Sequence, residues 1–413
     1  MEALSLQSMG VLFFVAVALF AGLGGGKLFR VIHFPQVVGY IVIGAVVGVS
    51  GLNILNHDIF EQMVPVEQFS LGLIGFMIGR ELHVSVFKQL GKVIFTILCF
   101  EVVGTFLVVS GAVWFLTRQI SIALIFGALA TATAPAATVE VLWEYKARGI
   151  LTTTIFSIVA LDDVLALLVY AFAVAFTKTL IGHTAISVSS IIVVPLVHIA
   201  ASITLGLISG FLLAWVAEKM HNEKQYLPLI LATIMLNISL ANFFHLSHIL
   251  SCMILGMTLV NMNITRAGYA FKAIEDFTGP IYILFFVLVG SQLDIRQLPQ
   301  MGLLGLVYIG ARMLGKVVGT AVGGRVAQAE PVVQKYLGFA LFDQAGVAIG
   351  LALSVRHEFN HLGADGKMIG DLVLNVIMAS TFVVQLIGPP FVKYSITKAG
   401  ERGLAGKTGS VYT

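Results

Sequence analysis

Charge is what this sequence has least of. Asp, Glu, Lys and Arg together make up only 11% of its 413 residues, whereas 58% of the residues are hydrophobic. A soluble globular chain usually carries about 25% charged residues. So few charges do not cover a water-facing surface, and we therefore predict an all-α polytopic membrane protein embedded in a lipid bilayer. The net charge of +3, without a basic cluster, argues against a nucleic-acid partner.

Cysteine is also scarce, and the usual cofactor motifs are missing. The only two cysteines, Cys99 and Cys252, both fall in apolar segments, which favours small core residues over redox chemistry. The sequence contains no CxxC pair, no His/Cys spacing typical of zinc sites and no GxxxxGK[ST] loop. We therefore expect no cofactor. The first apolar stretch lacks a basic n-region and an AxA site, so we interpret it as a membrane helix rather than a cleaved signal.

Long apolar runs are what the sequence has in abundance. A membrane-spanning helix needs about 17–25 predominantly apolar residues. Thirteen apolar segments of 16 to 30 residues are close to or above this length, and the eighth and ninth are the least clearly separated. The segments are 8–26, 31–50, 66–82, 92–116, 120–142, 149–176, 188–217, 226–244, 247–262, 273–292, 300–324, 334–355 and 368–392.

The basic residues predict the orientation. With the N-terminus outside, two of the 24 basic residues lie within a span, five lie in outer loops and the other 17 lie in inner loops or the tail. This excess of inner positive charge is typical of an N-out, C-in protein. Residues 1–394 then form a single transmembrane unit, and residues 395–413 a short, basic, disordered cytoplasmic tail.

Two short strings predict an internal repeat. "GFMIGRELHV" in segment three resembles "FFVLVGSQLDI" in segment ten, with Gly79 matching Gly290. "YIVIGAVVG" in segment two likewise resembles "CMILGMTLV" in segment nine. Because seven segments separate the partners, the two copies cross the membrane in opposite directions. Repeat one then covers about 8–176, repeat two about 226–392, and segment 188–217 links them. Inverted repeats are common in alternating-access transporters.

The repeat directs attention to two interrupted spans. Pro135 lies among small residues in segment five, and segment twelve contains "FDQAGVAIG", in which Asp343 and Gln344 precede Gly346. Proline removes a backbone donor and clashes with the preceding turn. We expect two discontinuous helices that cross near mid-membrane, where half-helix ends and free carbonyls meet. A plain proline kink is the alternative interpretation.

The most unusual polar groups are two adjacent acids in "VALDDVLAL". Charges at a helix centre cost about 2.5–3.5 kcal/mol each on insertion scales, so Asp162 and Asp163 need a functional explanation. Adjacent helix residues project about 100° apart, so one acid can face a cavity while the other reaches a neighbouring helix. Segment eleven supplies Arg312 and Lys316, four residues apart on one face. Lysine titrates more readily than arginine when desolvated. We therefore interpret Lys316 as the proton-coupled partner and Arg312 as a fixed structural charge.

Four further acids remain open. Glu101 in segment four and Asp343 at the break of segment twelve either line the cavity or are satisfied core acids. Glu140 and Glu144 lie near the inner end of segment five and are candidates for a funnel or gate.

Together these segments resemble the monovalent cation–proton antiporter superfamily, in particular its bacterial NapA/Kef-like branch with an NhaA-type fold. The strings that carry the resemblance, in chain order, are "FPQVVGYIVIGAVVG", "IGREL", "LDD", "ARMLGK" and "QAGVAIGLAL". The resemblance implies that Asp163 binds either a monovalent cation or protons, and that Asp162 pairs with Lys316 when the cation is absent. Thr131 and Thr133 would add neutral oxygens.

The resemblance also implies an architecture. Segments 4–6 and 11–13 would form a mobile core, and the other segments a dimerisation part of a homodimer. The break reads "FDQAG" where relatives often have proline or a Gly-Glu pair, and no nucleotide-binding domain of the Kef type follows.

The resulting functional hypothesis is a secondary transporter, not an enzyme, that exchanges Na⁺ or Li⁺ for H⁺ by alternating access and is electrogenic, in a bacterial inner membrane. Three alternatives stay open at this stage. They are a K⁺/H⁺ antiporter or K⁺ efflux system, a Na⁺-coupled organic anion symporter of the same fold, and a channel.

Overall fold

The structure is a computed structural model that describes residues 10–182, 193–220, 225–262 and 267–405. These residues form fifteen α-helices and two short 3-10 helices. In chain order the helices are α1 (Val11–Val31), α2 (Gln36–Val47), α3 (His57–Glu81), α4 (Val84–Thr117), α5 (Ile120–Thr131), α6 (Pro135–Glu144), α7 (Ile150–Gly182), α8 (Val194–Lys219), α9 (Tyr226–Phe243), α10 (His248–Asn261), α11 (Ala267–Ser291), α12 (Leu298–Val326), α13 (Pro331–Tyr336), α14 (Gly346–Phe359) and α15 (Gly363–Lys398).

The helices match the thirteen predicted segments. Eight described spans are long and apolar enough to cross a membrane, and three shorter apolar helices add to them. Segment five corresponds to α5 and α6, and segment twelve to α13, a 3-10 turn at Gly338–Leu341 and α14. The two least separated segments are distinct helices, α9 and α10. The prediction of an all-helical membrane protein is therefore confirmed, and about thirteen spans fit the described residues.

Some boundaries differ from the prediction. Helix α3 begins at His57 rather than at residue 66, because Asn56 caps it by accepting a hydrogen bond from the Ile59 amide at 3.0 Å. Residues 8–9 and 188–192, at the starts of segments one and seven, lie outside the described residues.

The chain divides into two compact units. The first comprises Met1–Lys88 and Val197–Leu293, and the second comprises Gln89–Leu196 and Asp294–Thr413. The first therefore holds α1–α3 and α8–α11, apart from the beginning of α8. The second holds α5–α7, α12–α15 and nearly all of α4.

Within the first unit, glycines bring two helix pairs into close contact. Gly44 of α2 faces Gly290 of α11, and Gly79 of α3 faces Gly256 of α10. A Cβ atom at any of the four positions would lie only 2.1–2.4 Å from a backbone carbonyl of the facing helix. The two crossings involve the strings that resemble each other in sequence, and the inverted repeat stays a prediction.

Within the second unit, the two interrupted helices meet. Helix α5 ends at Thr131 and α6 begins at Pro135, so the backbone between them is extended. The Ala134 amide donates a hydrogen bond of 3.1 Å to the carbonyl of Asp343, which lies in the corresponding gap before α14. The expected crossing of two discontinuous helices is therefore present.

The C-terminal tail is more ordered than predicted. Helix α15 continues to Lys398, and Glu401 is only 6% exposed. The amides of Gly403 and Ala405 donate to the carbonyls of Tyr145 and Lys146 at 2.9 and 3.0 Å. Residues 406–413 of this tail lie outside the described residues.

Candidate functional site

The acid pair lies in the middle of α7, and its two side chains point in different directions. Asp162 is completely buried, whereas Asp163 is only partly buried. Neither oxygen of Asp162 accepts a hydrogen bond from a described residue, and the same holds for Oδ1 of Asp163. Buried polar groups in folded proteins nearly always have such partners. These carboxylate oxygens are therefore exceptions to that rule.

Lys316 of α12 projects into the same region and is completely buried. Its Nζ atom donates to the carbonyl of Thr131 at 2.6 Å and to the Thr133 hydroxyl at 2.7 Å. Oδ2 of Asp162 lies 3.6 Å from Nζ, within ion-pair range, but Oε1 of Glu101 lies closer, at 2.5 Å. The expected proximity of Asp162 and Lys316 is present, yet Glu101 is the nearest acid. The sequence alone predicts Glu101 only as either a cavity-lining acid or a satisfied core acid.

Arg312, one helical turn before Lys316, ties the two interrupted helices together. Its guanidinium donates to the carbonyls of Ala130 and Ala132 at 3.1 and 2.9 Å. On the other side it donates to the carbonyls of Phe342 and Asp343, the latter at 3.1 Å. Helix ends leave carbonyl groups without intrahelical partners. Arg312 satisfies those groups, a contact pattern that fits the fixed structural charge we expected.

The remaining residues of the crossing have mainly supporting contacts. Gln344 donates from Nε2 to the Leu129 carbonyl at 2.9 Å and to the Tyr308 hydroxyl at 2.8 Å. Pro135 occupies the first turn of α6, where its missing N–H is not needed. Gly346 begins α14.

Two expected neutral ligands are placed near the lysine. The Thr131 hydroxyl donates to the Ala128 carbonyl of its own helix at 2.7 Å, so the carbonyl of Thr131 is the atom that faces Lys316. The Thr133 hydroxyl accepts directly from Lys316. In this arrangement the neutral oxygens bind an ammonium group, which is itself a monovalent cation.

The other acids without an assigned role lie in different surroundings. Asp343 is buried beside the guanidinium of Arg312, whereas Glu140 and Glu144 lie in the last two turns of α6. The one sequence feature that could have identified Glu101 is a glycine stripe on α12. Gly315, Gly319 and Gly323 face α4, the helix that carries Glu101.

Comparison with known proteins identifies the family. A sequence profile described as "Sodium/hydrogen exchanger, transmembrane" matches residues 15–394. The chain belongs to the sodium/hydrogen exchanger family. This confirms the predicted superfamily and the class of ion-coupled transporter rather than enzyme, whereas the narrower NapA/Kef-like branch stays a prediction.

Individual relatives are distant but cover most of the chain. A protein named Na(+)/H(+) antiporter from Enterococcus hirae is 23% identical, covering 95% of this chain and 99% of its own. The Na(+)/H(+)-K(+) antiporter GerN from Bacillus cereus is 22% identical, covering 87% and 90%. A solved structure of the sodium proton antiporter MjNhaP1 from Methanocaldococcus jannaschii has a TM-score of 0.75 at 18% identity, covering 97% and 98%. The last likeness supports the fold.

Proposed function

We propose that this member of the exchanger family moves Na⁺ or Li⁺ in one direction and H⁺ in the other by alternating access. The observation that carries the proposal is the pair of carboxylates on α7, one buried and one partly exposed, beside interrupted helices. A hard monovalent cation favours carboxylate, hydroxyl and carbonyl oxygens. Protons and the cation compete for the same carboxylates, because each neutralises the charge that burial disfavours.

Competition for one site is what makes the two fluxes exchange. If a unit crosses only when its acids are occupied, a proton loaded on one side and a cation loaded on the other give exchange without a leak. Asp163 is the principal carrier in this proposal because it is the more exposed acid. Thr131 and Thr133 are the proposed neutral oxygens of the site. Arg312 holds the crossing together through the cycle.

Further parts of the proposal concern setting and assembly. The second unit would be the mobile core, and the first would form the dimerisation part of a homodimer; the division of the chain into these two units supports this. The protein would lie in the bacterial inner membrane with its N-terminus outside and its C-terminus in the cytoplasm, as the basic residues indicate. With two adjacent acids and a lysine, exchange would be electrogenic.

A K⁺/H⁺ exchanger or K⁺ efflux system is the second candidate. The printed name of the GerN relative includes K⁺, and nothing in the residue types of the crossing discriminates K⁺ from Na⁺. A Na⁺-coupled symporter of an organic anion fits less well, because the acids beside the crossing would repel an anion.

Purified protein in liposomes that contain a pH dye tests the proposal. A pulse of Na⁺ or Li⁺ should drive protons in the opposite direction, and a K⁺ pulse of the same concentration separates the second candidate. Exchange that survives Asp163→Asn would contradict the assignment of the carrier. Cation flux without proton movement would favour a channel or symporter instead.

A further inference from the structure

The nearest acid to Lys316 is one that the proposed exchange does not yet use. Oε1 of Glu101 lies 2.5 Å from Nζ of Lys316, against 3.6 Å for Oδ2 of Asp162. The side chains of all three residues are completely buried. Oε1 of Glu101 also accepts a hydrogen bond of 3.2 Å from the Thr105 hydroxyl, whereas Oε2 accepts none from a described residue.

The hydrogen-bonding capacity of lysine decides between the two acids. An ammonium group has three N–H donors. Three oxygens lie within 2.5–2.7 Å of Nζ, namely Oε1 of Glu101, the carbonyl of Thr131 and the hydroxyl of Thr133. These use all three donors. Asp162 is therefore left with a longer Coulomb attraction and no hydrogen, which agrees with its lack of hydrogen bonds among the described residues.

The close packing of α4 against α12 favours Glu101 over Asp162 as the partner of Lys316. A Cβ atom at Gly315 would lie 2.7 Å from Cα of Thr105, and one at Gly319 would lie 2.8 Å from Cα of Glu101. Small residues at four-residue spacing allow helix backbones to approach closely in membranes. This close approach of α4 and α12 places the Glu101 carboxylate within reach of Lys316.

We infer that Glu101 is the resident counter-ion of Lys316 and a positioning residue of the exchange site, which leaves Asp162 at ion-pair distance from the ammonium but without a hydrogen bond from it. This inference rests on the proposed function. As a consequence, both Asp162 and Asp163 are available to bind the transported cation or protons. The Lys316 charge stays neutralised by Glu101 while the two aspartates load and unload.

The charges around the site are consistent with this division. Arg312 is bound by backbone carbonyls and has Asp343 as a neighbouring acid, while Lys316 has Glu101. Each buried base of α12 thus has a nearby acid outside α7. Among these acids Glu101 has the short ion-pair contact, whereas both carboxylate oxygens of Asp162 and of Asp343 accept no hydrogen bond from a described residue.

Thermal unfolding of the full-length protein in detergent is the first test. Glu101→Gln leaves Lys316 without its close counter-ion and should lower the melting temperature clearly, whereas Asp162→Asn should lower it little. The double variant Glu101→Gln/Lys316→Gln removes both charges and should recover part of the loss. Glu358→Gln is the matched control, since Glu358 and Lys178 of the same unit also pair at 2.5 Å but are about one-third exposed.

The second test measures exchange in liposomes. In Glu101→Gln the lysine turns to Asp162 and competes with the cation, so the apparent KM for Na⁺ should rise about tenfold while the maximal rate changes less. Glu101→Gln/Lys316→Gln should bring KM back towards the wild-type value, because the competitor has gone. A role limited to core packing would not predict this recovery.

Two results would overturn the inference. One is a fall in melting temperature for Asp162→Asn as large as that for Glu101→Gln. The other is a double variant that is no more stable, and binds Na⁺ no better, than Glu101→Gln alone. Absence of cation-driven proton movement in the wild-type protein would instead contradict the proposed function, and the melting temperatures would still report which acid holds Lys316.

Discussion

Carboxylates lie at two places along helix α7, and their hydrogen bonding differs. At its N-terminus, Glu401 accepts hydrogen bonds from the Leu151 amide, the Thr152 amide and the Thr152 hydroxyl at 2.8, 2.7 and 2.6 Å. About three turns along the same helix, Asp162 accepts none from the described residues, and Oδ1 of Asp163 accepts none. The carboxylate of Glu401 thus accepts hydrogen bonds within the fold, whereas Asp162 and Oδ1 of Asp163 accept none from the described residues.

The difference separates a structural acid, Glu401, from the two acids to which we assign transport. A carboxylate at a helix N-terminus satisfies orphan amides and interacts favourably with the helix dipole. A carboxylate in mid-helix finds no backbone donors, because the amides around it bond within the helix. Its charge is balanced only by a neighbouring base, a proton or a cation. An unsatisfied buried acid is therefore destabilising unless a ligand compensates it.

The largest expected effect is on transport. Asp163→Asn should reduce cation-driven proton movement in liposomes at least about 100-fold, because the amide neither binds a proton nor balances a cation charge. The melting temperature should stay unchanged or rise, since an unsatisfied charge is removed. Glu358→Gln is the matched control for loss of one acid in the same unit, since Glu358 and its partner Lys178 are both about one-third exposed. A large loss of stability in Asp163→Asn would remove the distinction between the two kinds of acid.

The complementary change at the other place on α7 should affect stability instead. Glu401→Gln replaces an acceptor oxygen by a donor amide opposite three donors, and hydrogen bonds to charged groups contribute about 1.5–3 kcal/mol. We expect the free energy of unfolding to fall by about that amount, with the apparent KM for Na⁺ unchanged. Denaturation monitored by circular dichroism, alongside the liposome assay, measures both quantities.

Gly149→Ala checks the same contact from the opposite side. A Cβ atom at Gly149 would lie 2.2 Å from Cδ of Glu401, so the alanine should displace the carboxylate. A changed cation KM with unchanged stability, in either variant, would show that Glu401 belongs to the transport site.

A smaller effect should come from the cation itself. A ligand that binds only the folded protein stabilises it by RT ln(1 + [L]/Kd), which is about 1.4 kcal/mol at ten times Kd. NaCl or LiCl should therefore raise the melting temperature of the wild-type protein relative to choline chloride at equal ionic strength. The shift should disappear in Asp163→Asn and persist in Glu401→Gln. Equal shifts in both variants would mean that the cation binds elsewhere.

The sequence was sufficient for the layout of the second unit because its cues are local. Apolar runs of the right length define the spans, and Pro135 and Gly346 mark the two interruptions without any knowledge of neighbours. The acid pair and the two bases of α12 could be selected because charges are rare inside spans. These properties are visible in a window of about twenty residues.

What the sequence did not predict depends on partners far apart in the chain. Which acid holds Lys316 depends on the glycine seam between α4 and α12, and the register of that seam cannot be deduced from either helix alone. Glu401 lies in a polar tail that composition alone marks as disordered. Its burial depends on contacts with the start of α7 and with the loop before it, where the Arg148 amide donates to the Glu401 carbonyl at 3.0 Å.

The smallest expected effect concerns an exposed ion pair whose acid is neither Glu401 nor one of the two aspartates. Lys178 of α7 and Glu358 of α14 lie 2.5 Å apart, but both side chains are about one-third exposed. Such pairs contribute about 0–1 kcal/mol, because solvent screens the charges and ordering the side chains opposes the attraction. Glu358→Gln should therefore change the free energy of unfolding by less than about 1 kcal/mol and leave the cation KM unchanged, measured at low and high salt. A loss as large as that of Glu401→Gln would mean that distance, rather than burial and hydrogen-bond satisfaction, decides how much a carboxylate in contact with α7 stabilises the fold.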